Sequence, residues 1–322
     1  MELILYKFVL AVTGAFILSV IIAPFIIPAL TKLKFGQEIR EIGPKWHQKK
    51  SGTPTMGGLI FIIPSIVASI LLVRNTTGLC VMLFSLAFGI VGFLDDYIKV
   101  VKKRNLGLTE KQKFSAQLIA SVLFVYISLK NGVLTTDIAI PFVEKTIDLG
   151  YLYIPFAILV TLGTTNAVNL TDGVDGLATS VTSVVCIFIA VIACMCGNLD
   201  VAALSLILLG GCLGFFVFNR HPAKVFMGDT GSLFLGGAVC AMALSLKMPI
   251  YLIIIGGVYV IETLSVIIQV ASFKLTGKRV FKMSPIHHHF EMSGFSENKI
   301  VCIAVLTSVV LGIIAVGGVY LG

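Results

Sequence analysis

Long apolar stretches separated by short polar connections make up nearly the whole of this chain. A helix needs about 20 apolar residues to cross the hydrocarbon core of a bilayer. Ten stretches approach that length, and they cover residues 7–30, 57–73, 78–98, 114–130, 151–168, 177–196, 201–218, 232–246, 249–272 and 300–320. No connection between them has room for a soluble domain. The pattern therefore predicts an all-α polytopic membrane protein, a single domain over residues 1–322 with ten transmembrane helices.

Two connections and the first stretch refine this prediction. Apolar positions alternate around Pro141 within residues 131–150, which predicts a short hairpin there. Residues 31–56 are expected to be irregular and in part amphipathic. The stretch 7–30 is long and lacks a small-residue cleavage site, so we interpret it as a retained span rather than a signal peptide.

Composition supports the membrane class. Hydrophobic residues make up 57% of the chain and charged residues only 12%, whereas soluble domains carry roughly 25% charged residues. The seven cysteines all lie in apolar stretches and form no CxxC pair. This placement is typical of cysteine buried as a small apolar residue, so neither a disulfide nor a zinc site is predicted.

The basic residues are distributed very unevenly among the connections. The connections 31–56, 99–113, 219–231 and 273–299 hold 19 of the 24 lysines and arginines. Cytoplasmic loops of membrane proteins carry this excess, so these four connections are expected in the cytoplasm and both termini outside. The net charge of +8 then favours anionic lipid headgroups. Nucleic acid is excluded as a partner because the basic residues flank spans and form no domain of their own.

An acidic pair closes the third apolar stretch. Asp95 and Asp96 are adjacent, so on a helix they point about 100° apart, and Lys99 follows one turn later. One interpretation is a solvated salt bridge at the end of a helix. The other is a site for an anionic substrate, whose phosphates require both a metal ion and cationic side chains.

Two glycine–aspartate turns join later stretches, at residues 169–176 and 226–232. Asp172 or Asp175 could cap the helix that follows the first turn. Capping explains one aspartate of that turn, but not a second together with the neighbouring asparagine. Asp229, in the second turn, is either an N-cap or an oxygen ligand of Mg²⁺.

A run of three histidines occupies residues 287–289, within the connection 273–299. The run is internal, so it is not a purification tag. Solvated side chains, phosphate binding and proton transfer near neutral pH are all open interpretations. Zinc binding is disfavoured, because three consecutive residues rarely converge on one ion and no cysteine lies nearby.

Taken together, these motifs identify a resemblance that extends over essentially the whole chain. The matching segments are GTPTMGG at 52–58, FLDD at 93–96, NLTDG at 169–173, residues 219–232, and PIHHHFE at 285–291. With these segments in this order, the chain resembles the phospho-N-acetylmuramoyl-pentapeptide-transferase (translocase I) family. That family is a branch of the polyprenyl-phosphate N-acetylhexosamine-1-phosphate transferases. The aspartate pair and the NLTDG turn suit the wider superfamily, whereas PIHHHFE points to the muramoyl-pentapeptide branch.

The resemblance implies a reaction and a set of site residues. The expected reaction transfers phospho-MurNAc-pentapeptide from its UDP-linked form to undecaprenyl phosphate at the cytoplasmic membrane face, releasing UMP and making lipid I. By resemblance Mg²⁺ is the cofactor and Asp229 its ligand. The residues implied in catalysis are Asp95, Asp96, Asp229 and His287. Those implied in substrate binding are Lys99, Lys111, Asn169, Asp172, Asp175, Asn219, Phe226, Gly228, Ser232, Gln269 and His288, with Phe226 placed to stack on uracil.

Two other functions are open from the sequence. A sister transferase using UDP-N-acetylglucosamine would share the superfamily motifs. A secondary transporter would also have many spans, but transporters place their charges and broken helices near the bilayer midplane. Here the aspartates lie at the ends of stretches. Both substrates and membrane lipids are the expected partners, and a homodimer is compatible with the sequence.

Overall fold

The computed structural model describes residues 2–32, 52–101 and 107–321, which are helical apart from short turns and one hairpin. The helices of this described part are α1 (Glu2–Lys32), α2 (Leu59–Leu72), α3 (Thr76–Val101), α4 (Glu110–Lys130), α5 (Tyr153–Thr171), α6 (Leu177–Met195), α7 (Leu199–Asn219), α8 (Gly228–Ser245), α9 (Tyr251–Ile255), α10 (Gly257–Thr276), α11 (Ile286–Glu291) and α12 (Glu297–Leu321). Most of the connection 31–56, including its predicted amphipathic part and the lysines at 45–50, lies outside the described residues.

Eight helices of the described residues are long and apolar enough to cross a membrane, namely α1, α3, α4, α5, α6, α7, α10 and α12. The polytopic helical class is therefore confirmed, while the count of ten spans stays a prediction. The predicted span 57–73 forms α2, which has only 14 residues. The predicted span 232–246 lies in α8, whose 18 residues begin with a polar turn.

The predicted span 249–272 is not one continuous helix. It is divided between α9 and α10 at Gly256, which is followed by a second glycine. Glycine has a low helix propensity because it loses the most backbone freedom when a helix forms. The prediction of a single uninterrupted span was wrong here, because it counted apolar residues without weighing this pair.

Helix α8 lies at the centre of the bundle. Every residue from Thr230 to Leu244 is buried, and α8 packs against α3 and α5. Its many glycines and alanines let neighbouring helices approach closely, as is common between membrane helices. The first turn of α8 is thereby fixed beside the end of α3.

The predicted hairpin in residues 131–150 is confirmed. Strand β1 (Asp137–Ala139) pairs antiparallel with β2 (Thr146–Asp148), and Ile138 lies opposite Ile147. Lys247, at the far end of α8, bonds to Asp137 at 3.1 Å. The hairpin therefore lies at the end of the bundle opposite to the first turn of α8.

Candidate active site

Three carboxylates meet where α3 ends and α8 begins. Asp95 and Asp96 are buried, with 3% and 2% of their surface exposed, and Asp229 in the first turn of α8 is half-buried. One oxygen from each of the three lies within 4.8 Å of the others. Carboxylate oxygens in such a group are suitable ligands for a hard divalent cation such as Mg²⁺.

Two lysines neutralise part of this charge. The Lys99 ammonium lies 2.6 Å from Asp95 Oδ2, 3.5 Å from Asp96 Oδ1 and 3.0 Å from Asp229 Oδ2. Lys113 Nζ, from the first turns of α4, reaches Asp229 Oδ2 at 2.8 Å. An ammonium group bonded to all three carboxylates shows that their oxygens converge on a position suited to a cation. The oxygens of these three carboxylates are therefore suitable ligands for Mg²⁺.

Hydrogen bonds across the helix junction fix Asp96 against α8. Its Oδ2 accepts bonds from the Thr230 backbone N–H at 2.9 Å and from the Thr230 hydroxyl at 2.8 Å. Gly228 begins the helix at a φ of +69°, and a Cβ there would overlap Asp96 Oδ2. Glycine is required at this position both for its backbone conformation and for the close approach.

Asn169, near the end of α5, orients Asp229 from another side. Its amide donates hydrogen bonds to Asp229 Oδ1 and to the Ser232 hydroxyl, both at 2.8 Å. Ser232 in turn donates to the Gly228 carbonyl at 3.0 Å. The sequence-predicted residues Asn169, Asp229 and Ser232 thus form one hydrogen-bonded group.

Asp172 follows α5 and is half-buried beside the same group. Burial raises the pKa of its carboxyl well above the usual value, and the neighbouring carboxylates of Asp229, Asp96 and Asp175 raise it further. Asp172 therefore takes up a proton more readily than an ordinary aspartate.

Asp175, in the same turn, belongs to a second cluster. Its Oδ2 accepts a hydrogen bond from the Ala223 backbone at 3.0 Å and lies 3.0 Å from His221 Nδ1. Glu297 at the start of α12 accepts from the Asp175 backbone at 3.1 Å and lies 3.4 Å from His221 Nδ1. This cluster joins the turn after α5, the connection between α7 and α8, and the beginning of α12.

Asn219 and Phe226 frame that connection. Asn219 is buried, donates to the Val225 carbonyl at 3.0 Å and accepts from Thr179 Oγ1 at 2.9 Å. Phe226 is half-buried, and its backbone pairs with residues 54–57 through bonds of 2.8 and 2.9 Å. The GTPTMGG segment is therefore held alongside the segment that carries Phe226.

The histidine segment contacts the turn after α5 through His287. His287 is buried, its Nδ1 lies 3.0 Å from Glu262, and its Nε2 lies against Gly173. His288 Nδ1 pairs with Glu291 at 2.6 Å. Gln269 bonds to the backbone of residues 280–281.

Several residues of the site were not among those predicted from the sequence: Lys113, His221, Glu262 and Glu297. Lys111 was predicted, but it is exposed on α4, and it is Lys113 that bonds to Asp229. Two residues apart on a helix, these lysines point to nearly opposite sides. Only the packing of α4 against the bundle decides which one faces the carboxylates. The roles of the predicted residues towards substrate stay predictions.

Two known family patterns match parts of this chain. The model of glycosyl transferase family 4 matches residues 78–247, and phospho-N-acetylmuramoyl-pentapeptide-transferase signature 1 matches residues 50–62. The second match covers the GTPTMGG segment and the start of α2. The first covers α3 through α8, and so all three carboxylates.

Named relatives resemble the chain over most of its length. The phospho-N-acetylmuramoyl-pentapeptide-transferase of Halalkalibacterium halodurans is 54% identical over 89% of this chain and 90% of its own. That of Clostridium kluyveri is 50% identical over 95% and 98%, and that of Clostridium perfringens 54% over 96% and 98%. The chain belongs to the phospho-N-acetylmuramoyl-pentapeptide-transferase family, within glycosyl transferase family 4.

Proposed function

We propose that this protein transfers phospho-MurNAc-pentapeptide from UDP-MurNAc-pentapeptide to undecaprenyl phosphate, which yields UMP and lipid I for peptidoglycan synthesis. The observation that carries the proposal is an identity of 50–54% to transferases of that name, over 89–96% of the chain. The cluster of Asp95, Asp96 and Asp229 with two lysines supports it. This charge arrangement suits a reaction between two phosphate-bearing substrates.

Mg²⁺ is the proposed cofactor. Asp229 would hold it, with Asp95 and Asp96 close enough to share it. When bound, the ion would polarise the pyrophosphate and stabilise UMP as the leaving group. Lys99 and Lys113 then become available to bind phosphate oxygens, because each can move from a carboxylate to an anionic substrate. Asn169 keeps Asp229 oriented through its bond to Oδ1.

The proposed chemical step is direct attack. An oxygen of the lipid phosphate attacks the β-phosphorus of the donor, the bond from that phosphorus to the oxygen shared with the α-phosphate breaks, and UMP leaves with the electron pair. A phosphate monoester has a second pKa near about 6, so the acceptor is already largely ionised at neutral pH. Asp95 and Asp96 already accept hydrogen bonds from Leu108 and Thr230, which favours a positioning role over nucleophilic attack.

The site is proposed to face the cytoplasm. α3 and α5 end at the carboxylate cluster, and α4 and α8 begin there. The connection between α3 and α4 and the connection before α8 belong to the four that hold 19 of the 24 lysines and arginines. The positive-inside rule assigns such connections to the cytoplasm. A site at this edge can receive a water-soluble donor while the acceptor stays in the bilayer.

An assay of UMP release with two donors tests the function. Purified, delipidated protein with undecaprenyl phosphate and Mg²⁺ should release UMP from UDP-MurNAc-pentapeptide and form a matching amount of lipid product. UDP-N-acetylglucosamine should support little release. Preferential use of UDP-N-acetylglucosamine would identify a sister transferase instead. Absence of release from both donors would contradict the transferase function.

The same assay, run without undecaprenyl phosphate, tests the chemical step. Enzyme with labelled donor and Mg²⁺ should then release no stoichiometric burst of UMP and acquire no label. A burst equal to the enzyme concentration, with label attached to Asp95 or Asp96, would establish a covalent route instead. Delipidation is essential, because co-purified undecaprenyl phosphate would produce a similar burst.

A further inference from the structure

A buried carboxylate lies within α10, where an acidic residue is costly. Glu262 has 3% of its surface exposed, and among the described residues no lysine or arginine pairs with it. Ionisable residues inside membrane helices are retained for function far more often than for stability. The partner of Glu262 is His287, which is 1% exposed.

The geometry of this pair determines which atom carries the proton. Glu262 Oε2 lies 3.0 Å from His287 Nδ1, and it also accepts the backbone N–H of His287 at 3.4 Å. Because Oε2 already accepts the backbone N–H, it is poorly placed to carry a proton of its own. Nδ1 is therefore the donor, because a carboxylate oxygen can only accept.

The other ring nitrogen points away from Glu262 towards the turn after α5. His287 Nε2 is buried and has no hydrogen-bond partner among the described residues. It lies against Gly173, where a Cβ would overlap it. A proton on Nε2 would leave a buried donor unsatisfied, at a considerable cost. The ring is therefore held as the Nδ1–H tautomer, with the Nε2 lone pair facing the turn beside Asp172.

The segment after α10 folds back along that helix and brings these two residues together. Glu262 precedes the end of α10 at Thr276 by about 20 Å of helix, so the segment after α10 must fold back along it. Gln269 holds this returning segment through three hydrogen bonds to Val280 and Phe281, of 2.9 to 3.0 Å. Short helix α11 then places His287 against Glu262.

We propose that Glu262 is a positioning residue for the transferase reaction, acting through His287. It holds the imidazole as the Nδ1–H tautomer, so that Nε2, which the turn at Gly173 covers here, accepts a hydrogen bond from a hydroxyl or amide N–H of the nucleotide-sugar donor when that turn shifts on binding. The proposal rests on the proposed function for the identity of that substrate. The tautomer itself does not depend on that identity.

Kinetics of matched variants test the positioning role. Glu262→Met keeps the length of the side chain but removes the acceptor, so kcat/KM for the donor should fall by about 10- to 100-fold. Glu262→Gln retains an acceptor oxygen and should restore activity to within roughly fivefold of wild type. The adjacent control Thr263→Val, which loses only a bond to the Tyr259 carbonyl, should match wild type.

A double-mutant cycle separates action through His287 from simple packing. In a His287→Asn background, adding Glu262→Met should lower kcat/KM by less than about threefold, because the group that Glu262 positions is already absent. Full additive losses in the double variant would overturn the proposal. So would wild-type activity of Glu262→Met alone.

Nitrogen-15 NMR of histidine-labelled protein in bilayers gives a readout that needs no turnover. The resonances of His287 are identified by their loss in His287→Asn. Wild type should show the Nδ1–H tautomer, and Glu262→Met should shift His287 towards the Nε2–H form. A wild-type His287 protonated on Nε2 would refute the proposal. If wild type released no UMP, the proposed function would fail while this spectrum still decided the role of Glu262.

Discussion

Contacts within the candidate site converge on Asp229. Its Oδ2 bonds to Lys99 at 3.0 Å and to Lys113 at 2.8 Å, and its Oδ1 accepts from Asn169 at 2.8 Å. Three carboxylates and two ammonium groups leave one negative charge uncompensated. A divalent cation would more than offset this single charge and would make the group attractive to the phosphates of a substrate.

The two lysines of α4 give a matched pair of variants. Lys113→Met removes the ammonium that contacts Asp229 and should lower kcat/KM by roughly 10- to 100-fold, as expected for loss of a charged hydrogen-bond partner. Lys111→Met, on the exposed side, should cost much less, since exposed ion pairs contribute little. Steady-state UMP release compares them. A larger loss for Lys111→Met would show that Lys111 is the cation that binds substrate.

Asp172 should make the protein less stable as the pH rises. Its folded-state pKa lies above the unfolded value of about 3.9, so its favourable contribution is complete below that pH and is lost as the pH rises through the folded pKa. Asp172→Asn should therefore unfold at a higher temperature than wild type at pH 7.5, and at a similar temperature near pH 4.

Thermal scans by circular dichroism in detergent measure this difference, and the same samples can be assayed for turnover. UMP release by Asp172→Asn should fall roughly 10- to 100-fold even though the variant is more stable. If Asp172→Asn and wild type unfolded at the same temperature at every pH, the Asp172 carboxyl would not be perturbed by its neighbours.

At the scale of single residues, the sequence predicted the kinds of side chain in the site better than their contacts. Asp95, Asp96, Asn169 and Asp229 do come together, because helix ends carry polar residues to the same edge. Lys113 could not be distinguished from Lys111, because the two lie in one polar run and differ only in the side of α4 they occupy. Glu262 is visible in the sequence as an acidic residue inside an apolar stretch, but nothing in the sequence links it to a histidine 25 residues away.

At the scale of elements, the close contact between α3 and α8 places the three carboxylates together. A Cβ on Gly92 of α3 would overlap the Asp229 carbonyl. Gly92→Ala should therefore push α8 away, reduce stability by about 1–3 kcal/mol and lower kcat through displacement of Asp229.

A control for this variant lies in α5, where Gly163 has no atom within 4 Å of the position of a Cβ. Gly163→Ala should be neutral or stabilising by up to about 1 kcal/mol, since alanine is the better helix former. Thermal unfolding and UMP release of both variants are the measurements. Equal effects of the two substitutions would contradict the proposed role of the α3–α8 contact.

Hydropathy located nearly all the long helices, but it did not show how two regions are built. It could not show that α8 is surrounded by protein along most of its length and begins with the polar turn that carries Asp229. It also joined α9 to α10 across Gly256. Apolar length reports on burial in general, and it does not distinguish contact with lipid from contact with other helices.

At the scale of the whole molecule, the arrangement follows from helices that alternate in direction. The ends of α3 and α5 and the beginnings of α4 and α8 must share one face of the bundle, so polar motifs far apart in the chain meet there. The sequence predicted this gathering from the ends of apolar stretches. It could not predict the return of residues 277–291 along α10, because that segment packs through individual hydrogen bonds rather than through a periodic pattern.

The central claim is that the carboxylate group around Asp229 is the reaction centre of a Mg²⁺-dependent transferase. A Mg²⁺ titration of UMP release with undecaprenyl phosphate and UDP-MurNAc-pentapeptide tests it most directly, comparing wild type with Asp229→Asn. Asp148→Asn, the same change in the exposed hairpin, is the control. Wild type and control should show equal, Mg²⁺-dependent turnover, and Asp229→Asn should lose at least about 100-fold in kcat while remaining folded. Near-normal, Mg²⁺-dependent turnover by Asp229→Asn would contradict the claim.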